Sequence, residues 1–144
     1  MFKKMIKWST TEYFDLPWRV RRSLYGTLVS EIMLQQTTVQ TVLNHFDRFL
    51  DLYPNIDALS KTTEEEIIKA WKGLGYYRRA RNLRSAAIDI QKKFNGKIPL
   101  NRKDLISING IGDYTASAII SIGADQVALA VDANIERVFS RIFL

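Results

Sequence analysis

Residues 105–118 read Leu-Ile-Ser-Ile-Asn-Gly-Ile-Gly-Asp-Tyr-Thr-Ala-Ser-Ala, two apolar segments joined by a turn that contains Gly110 and Gly112. The second segment follows the i, i+3, i+4 spacing of a helix with Ala116, Ile119 and Ile120. The pattern therefore predicts a helix, a tight glycine turn and a second helix. Glycine permits backbone angles that are closed to other residues and leaves room for a phosphate. The unpaired N–H groups at the start of the second helix can bind that phosphate.

The composition is that of one globular domain with a basic surface. The chain has 144 residues, 47% of them hydrophobic, and 21 basic against 15 acidic side chains give a net charge of +6. This charge suits a polyanionic partner, although charge alone does not establish one. No apolar run reaches the roughly 20 residues of a membrane span, and no secretory signal is evident. We therefore expect a cytoplasmic, nucleoid-associated monomer with no membrane partner.

Cysteine is absent from the sequence. This absence excludes disulfides, thiolate zinc sites and thiolate iron–sulfur sites within the chain. His45 is the only histidine. It falls off the apolar stripe of its helix and is expected to be a solvated side chain. No metal ligands are predicted.

Apolar residues at helical spacing recur along the chain, and no segment reads strongly as a strand. The clearest stripe comprises Tyr25, Leu28, Val29 and Ile32. Another stripe ends before Pro54, and residues 63–66 fit a capping box that begins a further helix. One more stripe follows Asp132. The predicted fold class is all-α.

Two carboxylates are candidates for acid–base chemistry. Glu31 lies on the flank of an apolar helix, where loss of water favours the protonated acid. Asp132 precedes a helix, where the helix dipole favours the anion. The residues alone are also compatible with simpler interpretations, in which Glu31 is a solvated side chain and Asp132 is an ordinary helix cap.

An aromatic and arginine-rich segment lies at residues 73–83, which read Gly-Leu-Gly-Tyr-Tyr-Arg-Arg-Ala-Arg-Asn-Leu. Its glycines predict a sharp turn that presents Tyr76 and Tyr77, and most of its arginines fall off the apolar stripe of the helix that follows. Aromatic side chains beside arginines suit intercalation and phosphate contact. A solvated basic face with two packed tyrosines fits these residues equally well.

Taken together, these motifs resemble the helix-hairpin-helix base-excision DNA glycosylases. Residues 105–118 match the hairpin, and Asp132 stands where that superfamily has its catalytic aspartate. Three further stretches resemble the adenine DNA glycosylases of the MutY type, which act on adenine opposite oxidised guanine. They are Leu-Pro-Trp-Arg at 16–19, Ser-Glu-Ile-Met-Leu-Gln-Gln-Thr at 30–37, and Gly-Leu-Gly-Tyr-Tyr at 73–77.

The resemblance implies an all-α helix-hairpin-helix DNA glycosylase fold with two lobes. Residues 21–144 would form the six-helix barrel lobe, with the helix-hairpin-helix at about 103–121, and residues 1–20 would belong to the second lobe. Family members continue with helices that complete this lobe, four cysteines that hold a 4Fe–4S cluster, and a domain that reads oxidised guanine. We therefore expect a truncated chain that holds no cluster and exposes apolar surface.

The resemblance also implies roles for individual residues. The glutamate matching Glu31 protonates adenine, and the aspartate matching Asp132 stabilises the cationic sugar or bonds to it transiently. Tyr114 and Asn134 match residues that support this catalytic site. The residues expected to contact DNA are the wedges Gln36 and Tyr76 together with Trp18, Arg19, Leu34, Gln35, Thr37, Arg78, Gly110, Ile111, Gly112 and Thr115.

The implied activity is hydrolytic removal of adenine opposite 8-oxoguanine or guanine in double-stranded DNA. Tyr114 argues against efficient strand cleavage, because relatives such as endonuclease III carry a Schiff-base lysine there. Thymine glycosylases of T/G mismatches are the nearer alternative. They also have tyrosine at this position and share the Val-Asp-Ala-Asn of residues 131–134, whereas adenine glycosylases usually have glycine in place of Ala133. The Leu-Gln-Gln and Gly-Leu-Gly-Tyr-Tyr motifs favour the adenine branch.

Two departures from the family pattern fall in the hairpin. Asn109 replaces a common proline and Asp113 a common basic residue, which should weaken the phosphate contact. Because the family's remaining helices, cluster cysteines and C-terminal domain do not follow in this sequence, a DNA-binding remnant without turnover is a further alternative. A plain helical interaction module is another, but it leaves the combination of Glu31, Tyr76, the hairpin and Asp132 unexplained.

Overall fold

The computed structural model describes residues 2–12 and 14–143, and within these it contains ten α-helices and no strand. The helices are α1 (Phe2–Ser9), α2 (Pro17–Val20), α3 (Leu24–Leu34), α4 (Val39–Leu52), α5 (Ile56–Lys61), α6 (Glu64–Ala70), α7 (Arg78–Phe94), α8 (Arg102–Ile106), α9 (Asp113–Ala118) and α10 (Ala133–Phe143). A π-helical turn, Ile119–Gly123, directly follows α9. The all-α prediction is confirmed.

Polar side chains between the apolar stripes determine where the helices begin. Ser23, Thr38 and Asn55 each accept a hydrogen bond from a backbone N–H in the first turn of α3, α4 and α5. At α6 the predicted capping box is present. Thr63 Oγ1 accepts from Glu66 N at 3.2 Å, and Glu66 Oε2 accepts from Thr63 N at 2.7 Å. These bonds satisfy N–H groups that have no partner within the helix.

The core forms where α3, α4, α6 and α7 bring their apolar faces together. Its larger buried side chains include Trp71, Phe46, Phe49, Leu28, Ile32 and Leu83. Phe49 meets Trp71 edge to face at 5.7 Å between ring centroids, and Trp18 meets Phe46 in the same way at 5.3 Å. Leu16 and Trp18, which the sequence assigns to the N-terminal segment, are therefore part of this core.

The π-helical turn after α9 packs closely against α3. A Cβ atom at Gly123 would lie 3.1 Å from Thr27 Oγ1 and 3.3 Å from Leu24 Cα. Both distances are shorter than ordinary van der Waals contacts, so glycine at this point favours the close approach of the two backbones. Ile119 and Ile120 are buried, as the helical spacing predicted.

The first and last helices carry apolar side chains that the described residues leave exposed. Ile6 and Trp8 of α1 are 65% and 61% exposed, and Phe139 and Phe143 of α10 are 50% and 65% exposed. The expected exposure of apolar surface is therefore present at both helices. Among the described residues, no helix is long and apolar enough to cross a membrane.

His45 differs from its predicted environment. Its ring is half-buried between α4 and the turn before α7, with Nδ1 2.8 Å from Thr41 O and Nε2 3.1 Å from Lys72 O. The expectation of a solvated side chain was wrong, because the stripe of one helix does not show what a distant turn places beside it.

The predicted hairpin is present as α8, the intervening turn and α9. Gly110 has a φ of +86°, and a Cβ atom there would lie 2.9 Å from Asn82 Cβ and 3.0 Å from Asn82 O. Glycine is thus required both by the backbone angle and by the approach of the turn to α7. A second contact with α7 holds the turn, because Asn109 N donates to Asp89 Oδ2 at 2.9 Å.

Replacing Gly110 by alanine should lower the free energy of unfolding by about 2 kcal/mol. Gly112→Ala is the matched control, because Gly112 has a φ of −93° and no atom lies within 4 Å of an added Cβ. Urea unfolding followed by tryptophan fluorescence measures both variants. Equal destabilisation by the two substitutions would contradict the assignment of Gly110 as the strained position.

Candidate active site

A cavity of about 550 Å³ brings together most of the residues singled out by the sequence. It lies between α3, α9, the π-helical turn and the start of α10. Its lining comprises Trp18, Arg19, Ser30, Glu31, Leu34, Gln35, Gln36, Tyr114, Ile122, Asp132, Ala133 and Asn134. The lining includes all of the residues predicted as catalytic, although they lie up to 103 positions apart in the sequence.

Glu31 occupies the flank of α3 that faces this cavity. Burial raises the pKa of Glu31 above its ordinary value. A hydrogen bond from the Tyr114 hydroxyl and the charge of Arg19 lower this pKa, whereas the charge of Asp132 raises it, and the net effect is upward. The structure thus places Glu31 where loss of water favours the protonated acid. A carboxyl group in this setting suits a proton donor.

Tyr114 lies in the first turn of α9 and donates a hydrogen bond to Glu31. Burial raises the pKa of Tyr114 to about 12, and the negative charges of Glu31 and Asp132 act in the same direction. The phenol therefore stays protonated at neutral pH. It can orient the Glu31 carboxyl group without becoming a nucleophile.

Asp132 immediately precedes α10 and is half-buried. Its Oδ1 accepts from Ile135 N at 2.8 Å, and its Oδ2 accepts from Asn134 Nδ2 at 3.2 Å. The two bonds fix the orientation of the carboxylate at the N-terminal end of a helix, where negative charge is favoured. The predicted position of Asp132 at a helix start is confirmed, and Asn134 contacts it directly.

Two backbone tips near the cavity adopt left-handed angles at residues other than glycine. Gln36, after α3, has a φ of +56°, and Tyr76, before α7, has a φ of +48°. Tyr76 does not line the cavity and is 62% exposed. Such angles carry a free-energy cost and persist where surrounding contacts hold them, often at functional sites.

The remaining predicted DNA contacts lie outside the cavity. Arg78 is exposed at the start of α7, and Thr37 lies in the loop after α3. In the hairpin, Gly110 and Gly112 form the turn, whereas the side chains of Ile111 and Thr115 are buried at 4% and 3% exposure. The Ile111 N–H also donates to Ile108 O at 3.1 Å. Ile111 therefore packs in the core, and its placement does not support a DNA contact.

Several residues in or near the site were not predicted from the sequence. Ser30 and Ile122 line the cavity, and the π-helical turn that places Ile122 there gave no signal in the sequence. The arginines of residues 78–81 were predicted to lie mostly off the apolar stripe of α7, yet Arg79 is only 6% exposed. A signal was available, because Arg79 precedes the buried Leu83 by four residues and so shares its face of α7.

The start of α9 carries an ion pair instead of a free cation. Arg102 Nη2 lies 2.7 Å from Asp113 Oδ1, and both side chains are largely exposed. The pair stands beside the turn at which the hairpin would meet a phosphate. Among the described residues, no group of three or more histidines and carboxylates is arranged to hold a metal ion.

Comparison with known proteins identifies one family. The model of the HhH-GPD superfamily base excision DNA repair proteins matches residues 29–144. An adenine DNA glycosylase of Buchnera aphidicola subsp. Baizongia pistaciae (strain Bp) is 44% identical over 128 residues. The match covers 89% of this chain and 36% of that protein, so the chain spans about a third of that relative's length.

Solved structures show the same fold. A thermostable thymine-DNA glycosylase superposes with a TM-score of 0.87 at 33% identity, covering 95% of this chain and 64% of that one. A non-covalent endonuclease III–DNA complex superposes with a TM-score of 0.78 at 25% identity, covering 95% and 65%. The predicted helix-hairpin-helix glycosylase fold is confirmed.

Replacing Glu31 by glutamine should stabilise the protein at neutral pH. Because the pKa of Glu31 is raised on folding, the charged carboxylate destabilises the folded state. At a pH below the pKa of Glu31 in the unfolded chain the group is protonated in both states and this destabilisation is absent. It develops in full as the pH rises through the pKa of Glu31 in the folded protein. The advantage of Glu31→Gln should therefore vanish toward pH 4. Thermal unfolding from about pH 4 to 8 measures it. Glu12→Gln, an exposed loop position, controls for net charge. Destabilisation by Glu31→Gln at neutral pH would contradict this account.

Proposed function

This chain belongs to the HhH-GPD superfamily of base excision DNA repair proteins, and from this premise we propose that it removes adenine opposite 8-oxoguanine or guanine in double-stranded DNA. The main support for this proposal is a single cavity lined by two carboxyl groups. Glu31 has a raised pKa, and the Asp132 carboxylate is held in a fixed orientation. The 44% identity to a protein named adenine DNA glycosylase supports the choice of adenine. We also propose that the protein is a monomer and associates with the nucleoid.

The proposed reaction divides its work between the two carboxyl groups. The target adenine must leave the base stack to enter the cavity. Glu31 then gives its proton to the adenine ring while the bond between N9 and C1′ breaks and its electrons pass to the base. Positive charge develops on the sugar, and the Asp132 carboxylate stabilises it or bonds to it transiently. Water then adds to C1′, displacing Asp132 where it has bonded there, and gives a proton to the Glu31 carboxylate, which leaves an abasic site.

Tyr114 and Asn134 act on the two carboxyl groups directly. The Tyr114 hydroxyl bonds Glu31, and the Asn134 amide bonds Asp132 at 3.2 Å. The phenol of Tyr114 has no amine and therefore forms no Schiff base with the sugar. The proposed reaction is therefore hydrolysis without efficient strand cleavage.

DNA would be held by residues that line or surround the cavity. Gln36 would fill the space left by the flipped base, and Tyr76 would wedge into the duplex beside it. Trp18 and Arg19 line the cavity that receives the base. The net charge of +6 supports a phosphate-rich partner. The 144 residues include no cysteine to bind an iron–sulfur cluster, so the proposal assigns no step to one.

A second candidate substrate is thymine opposite guanine. Ala133, which stands where adenine glycosylases usually have glycine, lines the cavity next to Asp132. The similarity to a thymine-DNA glycosylase structure at 33% identity supports this alternative. The motifs around Glu31 and Tyr76 favour adenine. A chain that binds DNA without turnover is the remaining alternative.

A single-turnover assay on duplexes with adenine opposite 8-oxoguanine and with thymine opposite guanine tests the proposal. We expect abasic sites at adenine, revealed as strand breaks only after alkali. Glu31→Gln should slow this step by about a hundredfold or more, because the proton donor is lost. Its affinity for the duplex should stay within about twofold, since the substitution keeps the side chain's shape.

The outcomes separate the alternatives. Abasic sites at thymine alone would replace adenine by thymine as the substrate. Binding without abasic sites at either base, in a folded sample, would leave a DNA-binding protein without this activity. Loss of binding in Glu31→Gln would contradict the role of Glu31 as a proton donor.

Replacing Asp113 by asparagine should tighten duplex binding by about fivefold at low salt. The substitution removes a negative charge beside the hairpin and frees Arg102 for a phosphate. The dependence of log affinity on log salt should steepen by about one unit. Fluorescence anisotropy over a salt series measures both quantities.

Asp57→Asn is the matched control for this substitution. Asp57 also forms an exposed ion pair, with Lys61 at 2.6 Å, but on α5. Its replacement should change affinity by less than about twofold. Equal effects of the two substitutions would show that net charge alone, and not the hairpin, controls binding.

A further inference from the structure

Arg79 makes a dense set of polar contacts within the protein. The four N–H groups of its terminal nitrogens share six acceptors, namely the carbonyl oxygens of Ile32, Met33, Gln35, Leu74 and Gly75 and Thr37 Oγ1. Only 6% of the residue is exposed. A guanidinium buried to this extent cannot reach a DNA phosphate, so its charge serves contacts within the protein.

The contacts divide between two segments distant in the sequence. Nη1 binds carbonyl groups at the C-terminal end of α3, including Met33 O at 2.7 Å. Nη2 binds Thr37 Oγ1 at 2.8 Å, Leu74 O at 3.0 Å and Gly75 O at 3.1 Å. One planar group thus joins residues 35–37 to residues 74–76. We call these the glutamine loop and the tyrosine turn.

Both segments carry a strained residue next to a carbonyl group held by Arg79. Gln36 has a left-handed φ and follows Gln35, whose carbonyl oxygen accepts from Nη1. Tyr76 has a left-handed φ and follows Gly75, whose carbonyl oxygen accepts from Nη2 at 3.1 Å. Neither angle is favoured by its own residue type, so contacts from elsewhere must hold it.

Aromatic rings complete this environment. The Arg79 guanidinium carbon lies 5.5 Å from the centroid of the Tyr76 ring and 5.7 Å from that of Trp71. The first contact restrains the exposed Tyr76 side chain, and the second anchors the guanidinium to the core. Cation–π contacts at these distances are favourable, and more so where water is excluded.

We propose that Arg79 is a positioning residue that fixes the glutamine loop and the tyrosine turn relative to each other. Gln36 and Tyr76 then meet the duplex as one rigid unit with a set spacing. This inference rests on the proposed function for the part that concerns DNA. The positioning itself is a property of the free protein.

Lysine is the substitution that tests this role. It keeps the positive charge, but it offers three N–H groups on a single atom and cannot reproduce a planar fork across two segments. Arg84→Lys is the matched control. Arg84 lies on the same helix, is half-buried and donates to one carbonyl oxygen, that of Thr62 at 2.6 Å, away from both segments.

The first measurement is amide hydrogen exchange of the free protein. In Arg79→Lys, exchange should rise about tenfold in the glutamine loop and the tyrosine turn together, and by less than about twofold in the core helices. Arg84→Lys should leave both segments unchanged. Unchanged protection of either segment in Arg79→Lys, or a uniform rise along the chain, would overturn the proposal.

The second measurement is a double-mutant cycle on the affinity for the duplex with adenine opposite 8-oxoguanine. In the native background, the loss of affinity on combining Gln36→Ala with Tyr76→Ala should differ by about fivefold from the product of the two single losses, because both side chains act together. In the Arg79→Lys background, the combined loss of affinity should equal the product of the two single losses within about twofold. Independent losses in the native background, or persistent coupling in Arg79→Lys, would also overturn the proposal.

The two measurements separate the two claims. A native chain that binds no mispaired duplex would refute the proposed function, and hydrogen exchange would still decide whether Arg79 holds both segments. Normal binding with unchanged exchange in Arg79→Lys would refute the positioning role and leave the proposed function intact.

Discussion

The burial of α3 is the constraint on which the rest of the structure depends. Leu28, Val29 and Ile32 are almost fully buried, so this helix lies inside the molecule and other helices pack around it. A carboxyl group on the flank of such a helix is necessarily separated from much of the solvent. The raised pKa of Glu31 is therefore a consequence of where the core lies.

The C-terminal end of α3 transmits this constraint to the surface. A helix that ends inside a protein leaves carbonyl groups without partners, and buried carbonyl groups need donors. Arg79 supplies them at Ile32 and Met33, and the same guanidinium continues to the turn before α7. One buried charge thus satisfies the end of a helix and holds two exposed tips. Sites built in this way are rigid where they meet a ligand.

Much of this fold followed from the sequence because its signals are local. Capping residues such as Thr63 and the spacing of apolar residues act within one or two turns, and the helices they predicted are present. The sequence signal that predicted Asp132 at the start of a helix was equally local. The environment of His45 was missed for the opposite reason, since Lys72 lies 27 positions away in the sequence, and the contacts of Arg79 with residues 32–37 are equally non-local. Ile122 gave no signal, because a π-helical turn alters which residues face α3.

The distance in sequence between Glu31 and Tyr114 shows how such a site is assembled. No local pattern relates α3 to α9, so the two meet only if the backbones approach closely. Gly123 favours that approach, because a Cβ atom at this position would crowd Thr27 and Leu24 of α3. The π-helical turn can then lie directly on α3, and α9, which leads into it, carries Tyr114 to the carboxyl group of Glu31. Close packing at a residue outside the cavity thus supports the hydrogen bond that orients the acid.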